Sequence, residues 1–173
     1  MPENSSLLIE AAQVSAAYDG LAARLAGELP PGEVLMLPVM NGGMFPALEI
    51  ARRLKRPQRF DYVHATRYRG ATRGDVLSWL HWPELPEGSM TVLLIDDIFD
   101  EGYTLQAIRN RLPERFEVLT VVLARKQHAR GLARDWVDFV GLDLPDEYVF
   151  GCGMDYEENF RELDAIWTLN APH

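Results

Sequence analysis

Between Val92 and Leu105 the chain reads Val92-Leu93-Leu94-Ile95-Asp96-Asp97-Ile98-Phe99-Asp100-Glu101-Gly102-Tyr103-Thr104-Leu105. An apolar strand runs directly into acids, a glycine and the start of a helix. Backbone N–H groups at such a helix start bind phosphate, because they lack intrahelical acceptors and sit at the positive end of the helix dipole. Asp96 and Asp97 would stand at the strand end, where vicinal carboxylates accept hydrogen bonds from ribose hydroxyls or act around a magnesium ion. An isolated Asp-Asp pair is more often two solvated turn acids beside an Asp helix cap, since motifs this short match by accident.

The elements that must position these groups follow from periodicity. Leu8, Ala11, Ala12, Val14, Ala17, Leu21 and Leu25 recur at helical spacing, which predicts an amphipathic helix over residues 6 to 28, ended before Pro30-Pro31. Apolar runs of strand length follow at Val34 to Val39, Phe60 to Ala65, Thr91 to Ile95, Val118 to Ala124 and Phe139 to Leu142. Gly42-Gly43 leads into a helical pattern from Phe45 to Leu54, and Gly102 into another from Thr104 to Leu112. Strand, glycine turn and helix thus occur twice. Such units favour an α/β fold with a parallel sheet flanked by helices, and ligands at the carboxyl ends of the strands. Residues 67 to 90 form a long excursion with strand character from Val76 to Trp82, and loops of that length are usually functional. From Pro145 onward no helical period is evident, so this part is expected to form a small hood.

With 173 residues and 47% hydrophobic content, the chain is expected to be a single domain over 1–173. Its 26 acidic residues against 17 Lys plus Arg give a net charge of -9, which argues against a nucleic-acid partner. One cysteine, Cys152, makes no intrachain disulfide and fits a reducing compartment, so a cytoplasmic location is expected. No stretch reaches the roughly 20 apolar residues that span a bilayer, and no membrane partner is expected. GxxxxGK[ST] and GxGxxG are both absent, which weakens nucleotide triphosphatase and dinucleotide dehydrogenase readings.

The fourteen-residue segment resembles the ribose-diphosphate signature of purine phosphoribosyltransferases of the hypoxanthine-guanine type. Further segments agree with that family in order: Leu37 to Phe45, Asp61-Tyr62, Arg67-Tyr68, Lys126, Asp138 to Gly151, Met154 to Tyr156 and Phe160 to Leu163. The resemblance implies a type I phosphoribosyltransferase fold with a hood built from the chain ends. It implies transfer of the 5-phosphoribosyl group from phosphoribosyl diphosphate to hypoxanthine or guanine, with Mg2+ as cofactor and a homodimer or homotetramer as the assembly. A xanthine-preferring enzyme and a non-catalytic nucleotide sensor on the same fold are the alternatives. The net charge and the retained Asp100, Lys126, Tyr148, Asp155 and Arg161 speak against the sensor.

By the same resemblance, Asp100 acts in proton transfer at N7 of the purine, and Glu101, Gly102, Tyr103 and Thr104 cradle the 5'-phosphate. Lys126 meets the exocyclic oxygen of the base, Tyr148 stacks on the ring and Val149 meets its edge through the backbone. Asp155 belongs to the metal site with Asp96 and Asp97, and Arg161 contacts pyrophosphate. Met40, Asn41 and Gly42 form the pyrophosphate loop, whose Met40-Asn41 peptide is often cis in relatives, and Tyr68 closes over the diphosphate with residues 67 to 75. Asn41 stands where many relatives carry Lys or Arg, Glu101 where Ser or Thr is common, Tyr103 where Lys or Asn is common, and Arg67 where Ser precedes the loop tyrosine. A Glu101 carboxylate would repel the phosphate unless it points outward, so the backbone is expected to face the phosphate, with Arg67 and Arg69 supplying charge on closure.

Overall fold

The structure, a computed structural model, describes residues 1–67 and 77–169. Five strands form one parallel sheet in the order β3-β2-β6-β7-β8: β2 (Val34–Pro38), β3 (Gln58–Phe60), β6 (Met90–Phe99), β7 (Phe116–Lys126) and β8 (Phe139–Leu144). Alternate residues serve opposite faces. Met36, Leu93, Ile95, Val121 and Leu123 belong to one core, while Leu35, Leu37, Val92, Leu94 and Val122 belong to the other. Burial on both faces explains why these strands read as unbroken apolar runs. Leu93, Leu94 and Ile95 are wholly buried, each contributing roughly 1.5–3 kcal/mol, and so fix the strand that carries Asp96 and Asp97.

The first core is covered by α1 (Ala11–Glu28) and α2 (Met44–Arg53), and the second by α3 (Tyr103–Arg111). From β2 the chain passes through α2 to β3 on one side, and from β6 through α3 to β7 on the other. The order therefore reverses between β2 and β6, and a crevice opens there at the carboxyl ends, the usual ligand site of open α/β sheets. Across it lies the expected hood, a three-stranded antiparallel sheet of β1 (Ser5–Ile9), β10 (Ile166–Leu169) and β9 (Val149–Phe150) in the order β1-β10-β9.

Three expectations need correction. The first helix starts at Ala11 rather than residue 6, because Ser5–Ile9 pairs with β10 and a Glu10–Gln13 capping box then opens the helix. A short apolar run fits either period, and a partner strand some 160 residues away decided this one. The expected strand Phe60 to Ala65 is interrupted: β3 ends at Phe60 and β4 (His64–Arg67) begins a separate hairpin with β5 (Leu77–His81). At the break the Asp61 carboxylate accepts the backbone N–H groups of Tyr62 (2.8 Å) and Glu84 (3.1 Å), a local side-chain alternative to ladder bonding. Finally, Asp96 and Asp97 do not end their strand, which continues in register with β7 through Ile98 and Phe99. Among the described residues no helix is long and apolar enough to cross a membrane.

Candidate active site

Two adjoining hollows, sharing Asp96 and Ile98, line the carboxyl edge of the sheet. The first, about 270 Å³, is bounded by Asp100, Glu101, Gly102, Thr104 and Arg130. In the second, about 340 Å³, Met40, Asn41 and Gly42 face Lys126, Tyr148, Val149, Asp155 and Arg161. The structure thus brings to one cleft nearly every residue that the sequence singled out. Tyr103, exposed on the first turn of α3, lines neither hollow, and Tyr68 lies outside the described residues, as does Arg69.

Gly102 has φ +82 and immediately precedes α3, so the chain turns sharply from β6 into the helix. A Cβ there would lie 2.4 Å from Phe99 Cε2, inside any tolerable contact, which makes glycine a requirement of the turn. The helix N-cap is Gly102, without a side-chain cap bond. Asp100 therefore does not cap the helix. Its Oδ2 accepts from Lys126 Nζ at 3.0 Å and its Oδ1 contacts His128 Nε2 at 2.6 Å. Partial burial pushes this carboxyl up, but the Lys126 and His128 contacts outweigh it and hold the group below the ordinary carboxylate range. Asp100 is accordingly ionised at neutral pH.

Asp96 and Asp97 have the opposite setting. Burial raises both carboxyls, Asp96 well above the usual range with the Asp97 charge adding to the effect. Backbone N–H groups hold their orientation: Asp97 N donates to Asp96 Oδ1 at 3.0 Å and Ile98 N to Asp97 Oδ1 at 2.7 Å. Asp97 is walled in by two glycines, since a Cβ on Gly42 would lie 1.9 Å from its Oδ2 and one on Gly153 2.9 Å from its Cβ. The β2 loop, β6 and the segment after β9 close around this one carboxylate. Arg161 ties the arrangement together, with Nη2 at 2.7 Å from Asp155 Oδ1, Nη1 at 2.5 Å from the Gly153 carbonyl and Nη1 at 3.9 Å from Asp97 Oδ2.

Met40-Asn41 is a cis peptide, in the position that the resemblance implied. Tyr148 is exposed at the mouth, and its hydroxyl donates to the Asp155 carbonyl at 3.0 Å, which orients the ring. Asp96, Asp97 and Asp155 do not form a ready-made cation cage: among the described residues no group of three or more His, Cys, Asp or Glu side chains could hold a metal. That donor set still fits magnesium, which is commonly held by one or two carboxylates plus substrate phosphates and water. Asp96 places a carboxylate at the lip common to both hollows.

The sequence reading missed the segment after β7. Arg130 lines the first hollow, His128 contacts Asp100 from its buried side, and Arg134 donates through Nη1 to the carbonyls of Asp100 (2.6 Å) and Lys126 (3.1 Å) while its guanidinium lies 4.7 Å over the Phe99 ring. The Leu132 N–H donates to the Glu101 carbonyl at 2.9 Å. This segment braces the turn from Asp100 to Gly102 from behind. The available signal was parity: residues two apart on an extended chain share a side, so His128 continues the side of Lys126.

A phosphoribosyl transferase domain model matches residues 8–159. Over 143 residues the chain is 32% identical to the hypoxanthine-guanine phosphoribosyltransferase of Mycobacterium avium, covering 80% of this chain and 69% of that relative. In three dimensions it resembles a hypoxanthine phosphoribosyltransferase from Staphylococcus aureus, with a TM-score of 0.85 at 24% identity, covering 95% of this chain and 91% of the other. The enzyme of the same name from Trypanosoma cruzi, solved with its product IMP, gives 0.84 at 22% identity, covering 98% and 97%. With the matched domain spanning most of the sequence and the cleft at the expected edge of the sheet, the chain belongs to the phosphoribosyl transferase family, among its hypoxanthine-guanine phosphoribosyltransferases.

Proposed function

We propose that this enzyme transfers the 5-phosphoribosyl group of phosphoribosyl diphosphate to hypoxanthine or guanine, releasing pyrophosphate and IMP or GMP in purine salvage. The observation that carries the reading is the Lys126–Asp100 pair, 3.0 Å apart, with Lys126 at the end of β7 and Asp100 just beyond the end of the neighbouring β6, beside the glycine turn into α3. Its cation suits an exocyclic oxygen and its carboxylate a ring N–H, which together describe one edge of a 6-oxopurine.

The turn from Asp100 to Thr104 holds the 5'-phosphate with backbone N–H groups and the Thr104 hydroxyl. Tyr148 stacks on the base and the Val149 backbone meets its far edge. As N9 bonds to C1' and the C1'–O bond to pyrophosphate breaks, Asp100 takes the N7 proton. Its ionised state at neutral pH leaves it ready to accept. Arg161 gives the leaving pyrophosphate a bidentate cation once its contacts with Asp155 are exchanged. Asp96, Asp97 and Asp155 would hold magnesium on the diphosphate, where the ion neutralises charge on the leaving group. The Met40-Asn41-Gly42 loop lies against that end of the cleft, and Tyr68, with residues 67 to 75, would close over it and exclude water. The enzyme would work as one domain over 1–173 in a cytoplasmic homodimer or homotetramer.

The test is to incubate the purified protein with phosphoribosyl diphosphate, Mg2+ and each purine base. IMP and GMP are the expected products; XMP made faster than either would replace the substrate, and AMP alone would refute the role of Lys126. Asp100→Asn should lower kcat roughly a hundred- to ten-thousand-fold while binding of the donor survives.

A further inference from the structure

His128 contacts Asp100 but belongs to no sequence motif of the site. Its side chain is 5% exposed, against 41% for Asp100, so the imidazole forms the buried wall behind an accessible carboxylate. Both ring nitrogens are engaged. The Arg130 backbone N–H donates to Nδ1 at 3.2 Å, so Nδ1 is an acceptor and in the neutral ring the proton sits on Nε2. Nε2 faces Asp100 Oδ1 at 2.6 Å and therefore donates to it. A backbone group thus sets the tautomer, and the tautomer sets the contact with the acid.

The two Asp100 oxygens are held unequally. Lys126, on a flexible stem, reaches Oδ2, and on the proposed reading this cation also serves the oxygen of the incoming base. When Lys126 turns to the base, its hold on Asp100 weakens at the moment when the carboxylate must face N7. His128 has no such second duty. Its segment is tied down by Arg134, which donates to the carbonyls of Arg130 and Leu132 through Nη2 and to that of Asp100 through Nη1.

We propose that His128 is a positioning residue: it grips Oδ1 of Asp100 through Nε2–H and keeps Oδ2 directed at the N7 proton while Lys126 engages the base. This rests on the reading of Asp100 as the proton acceptor. Atoms balance without chemistry at His128, since the proton passes from N7 to Asp100 and the imidazole keeps its own.

The experiment compares His128→Phe, which keeps the ring and removes the donor, with His128→Gln, which restores an N–H donor, each in wild-type and Asp100→Asn backgrounds. Steady-state kcat and KM for phosphoribosyl diphosphate and hypoxanthine are measured beside far-UV circular dichroism. His128→Phe should lower kcat roughly ten- to a hundredfold, as expected for a misplaced reacting group, with KM for the donor within about twofold of wild type. His128→Gln should recover most of the loss, and His128→Phe should cost nothing further once Asp100 is Asn. Wild-type kcat in His128→Phe, a Gln variant as slow as the Phe variant, or losses that multiply in the double variant would each overturn the inference. Should His128→Phe fail to fold, His128→Asn replaces it, retaining an acceptor for Arg130 N–H on a side chain too short to reach Asp100. If Asp100→Asn is slow while His128→Phe is normal, the positioning role falls alone; if Asp100→Asn is itself unimpaired, the proton-acceptor reading falls too.

Discussion

Replacing Gly131 by alanine tests whether the segment behind the phosphate turn controls donor binding. Gly131 has φ +73, where an L side chain costs about 1–2 kcal/mol. A Cβ would also lie 2.3 Å from the Glu101 carbonyl oxygen and 2.6 Å from its Cα, whereas real Cβ contacts stay beyond 3.0 Å. The two strands of chain must therefore separate by at least about 0.7 Å, the difference between 3.0 and 2.3 Å, and both partners are backbone. The displaced atoms belong to the turn proposed to present N–H groups to the 5'-phosphate, and the Leu132 N–H bond to the Glu101 carbonyl stretches with them. Displacement on that scale should raise KM for phosphoribosyl diphosphate roughly ten- to a hundredfold. The conformational cost alone should lower Tm by about 2 to 8 °C, at 2–4 °C per kcal/mol for a chain of this size. Gly88→Ala is the control, because Gly88 also has positive φ, +85, but nothing lies within 4 Å of its Cβ. It should lose stability and keep the wild-type KM. Steady-state kinetics with the donor varied, beside thermal melts, read both quantities. If Gly131→Ala and Gly88→Ala behave alike in KM, the proposed mechanical link between residues 127–134 and the phosphate turn is wrong.

Asp96→Asn should raise the Tm of the ligand-free protein at pH 8 while lowering turnover, because it removes one of two mutually repelling carboxylates, this one partly buried beside the buried Asp97, and keeps the oxygen that accepts Asp97 N–H. The sign follows from the raised folded-state value: wild type is penalised above that value and relieved as pH falls through it, so the Tm gap should narrow on acidification, and a constant gap would refute the electrostatic cause. Burial pushes the Cys152 thiol up to about 12, so at pH 8 an aromatic disulfide reagent should label it only after unfolding in guanidinium; rapid labelling of the folded protein would contradict its placement. Tyr148→Leu should raise KM for the base about five- to a hundredfold, from the loss of one stacking surface worth roughly 1–3 kcal/mol, with KM for the donor little changed.

The legible parts of this chain are those where local pattern and tertiary setting agree. Three central strands were visible as apolar runs because both faces of the sheet are covered, and α2 and α3 followed their glycine turns. Ser5–Ile9 was misread because its apolar spacing is compatible with helix, and only its partner β10 makes it a strand. Phe60 to Ala65 looked continuous because the bonds that Asp61 makes at its interruption go to N–H groups at Tyr62 and Glu84, the second far along the chain. Site residues were readable where a motif carried them. His128, Arg130 and Arg134 were not, since their importance lies in contacts with the turn after β6, a different strand's loop.

The three acids of that stretch show why residue type alone cannot assign a role. Asp96, Asp97 and Asp100 lie within five positions, yet burial raises the first two while Lys126 and His128 bring the third down. Environments that push neighbouring carboxyls apart are how one cleft separates its chemical duties. Asp100 already has its two donors, Lys126 and His128, and remains an anion able to take a proton. Near Asp96 and Asp97 the guanidinium of Arg161 lies 3.9 Å from Asp97 Oδ2, and it is shared with Asp155. Their charged forms are costly until a further cation arrives, so ligand-free stability is given up at the place where a diphosphate carrying magnesium would bind. The same logic orders the perturbations: neutralising Asp96 should strengthen the empty fold and weaken the loaded one, whereas neutralising Asp100 removes the acceptor and leaves Lys126 and His128 without their shared carboxylate.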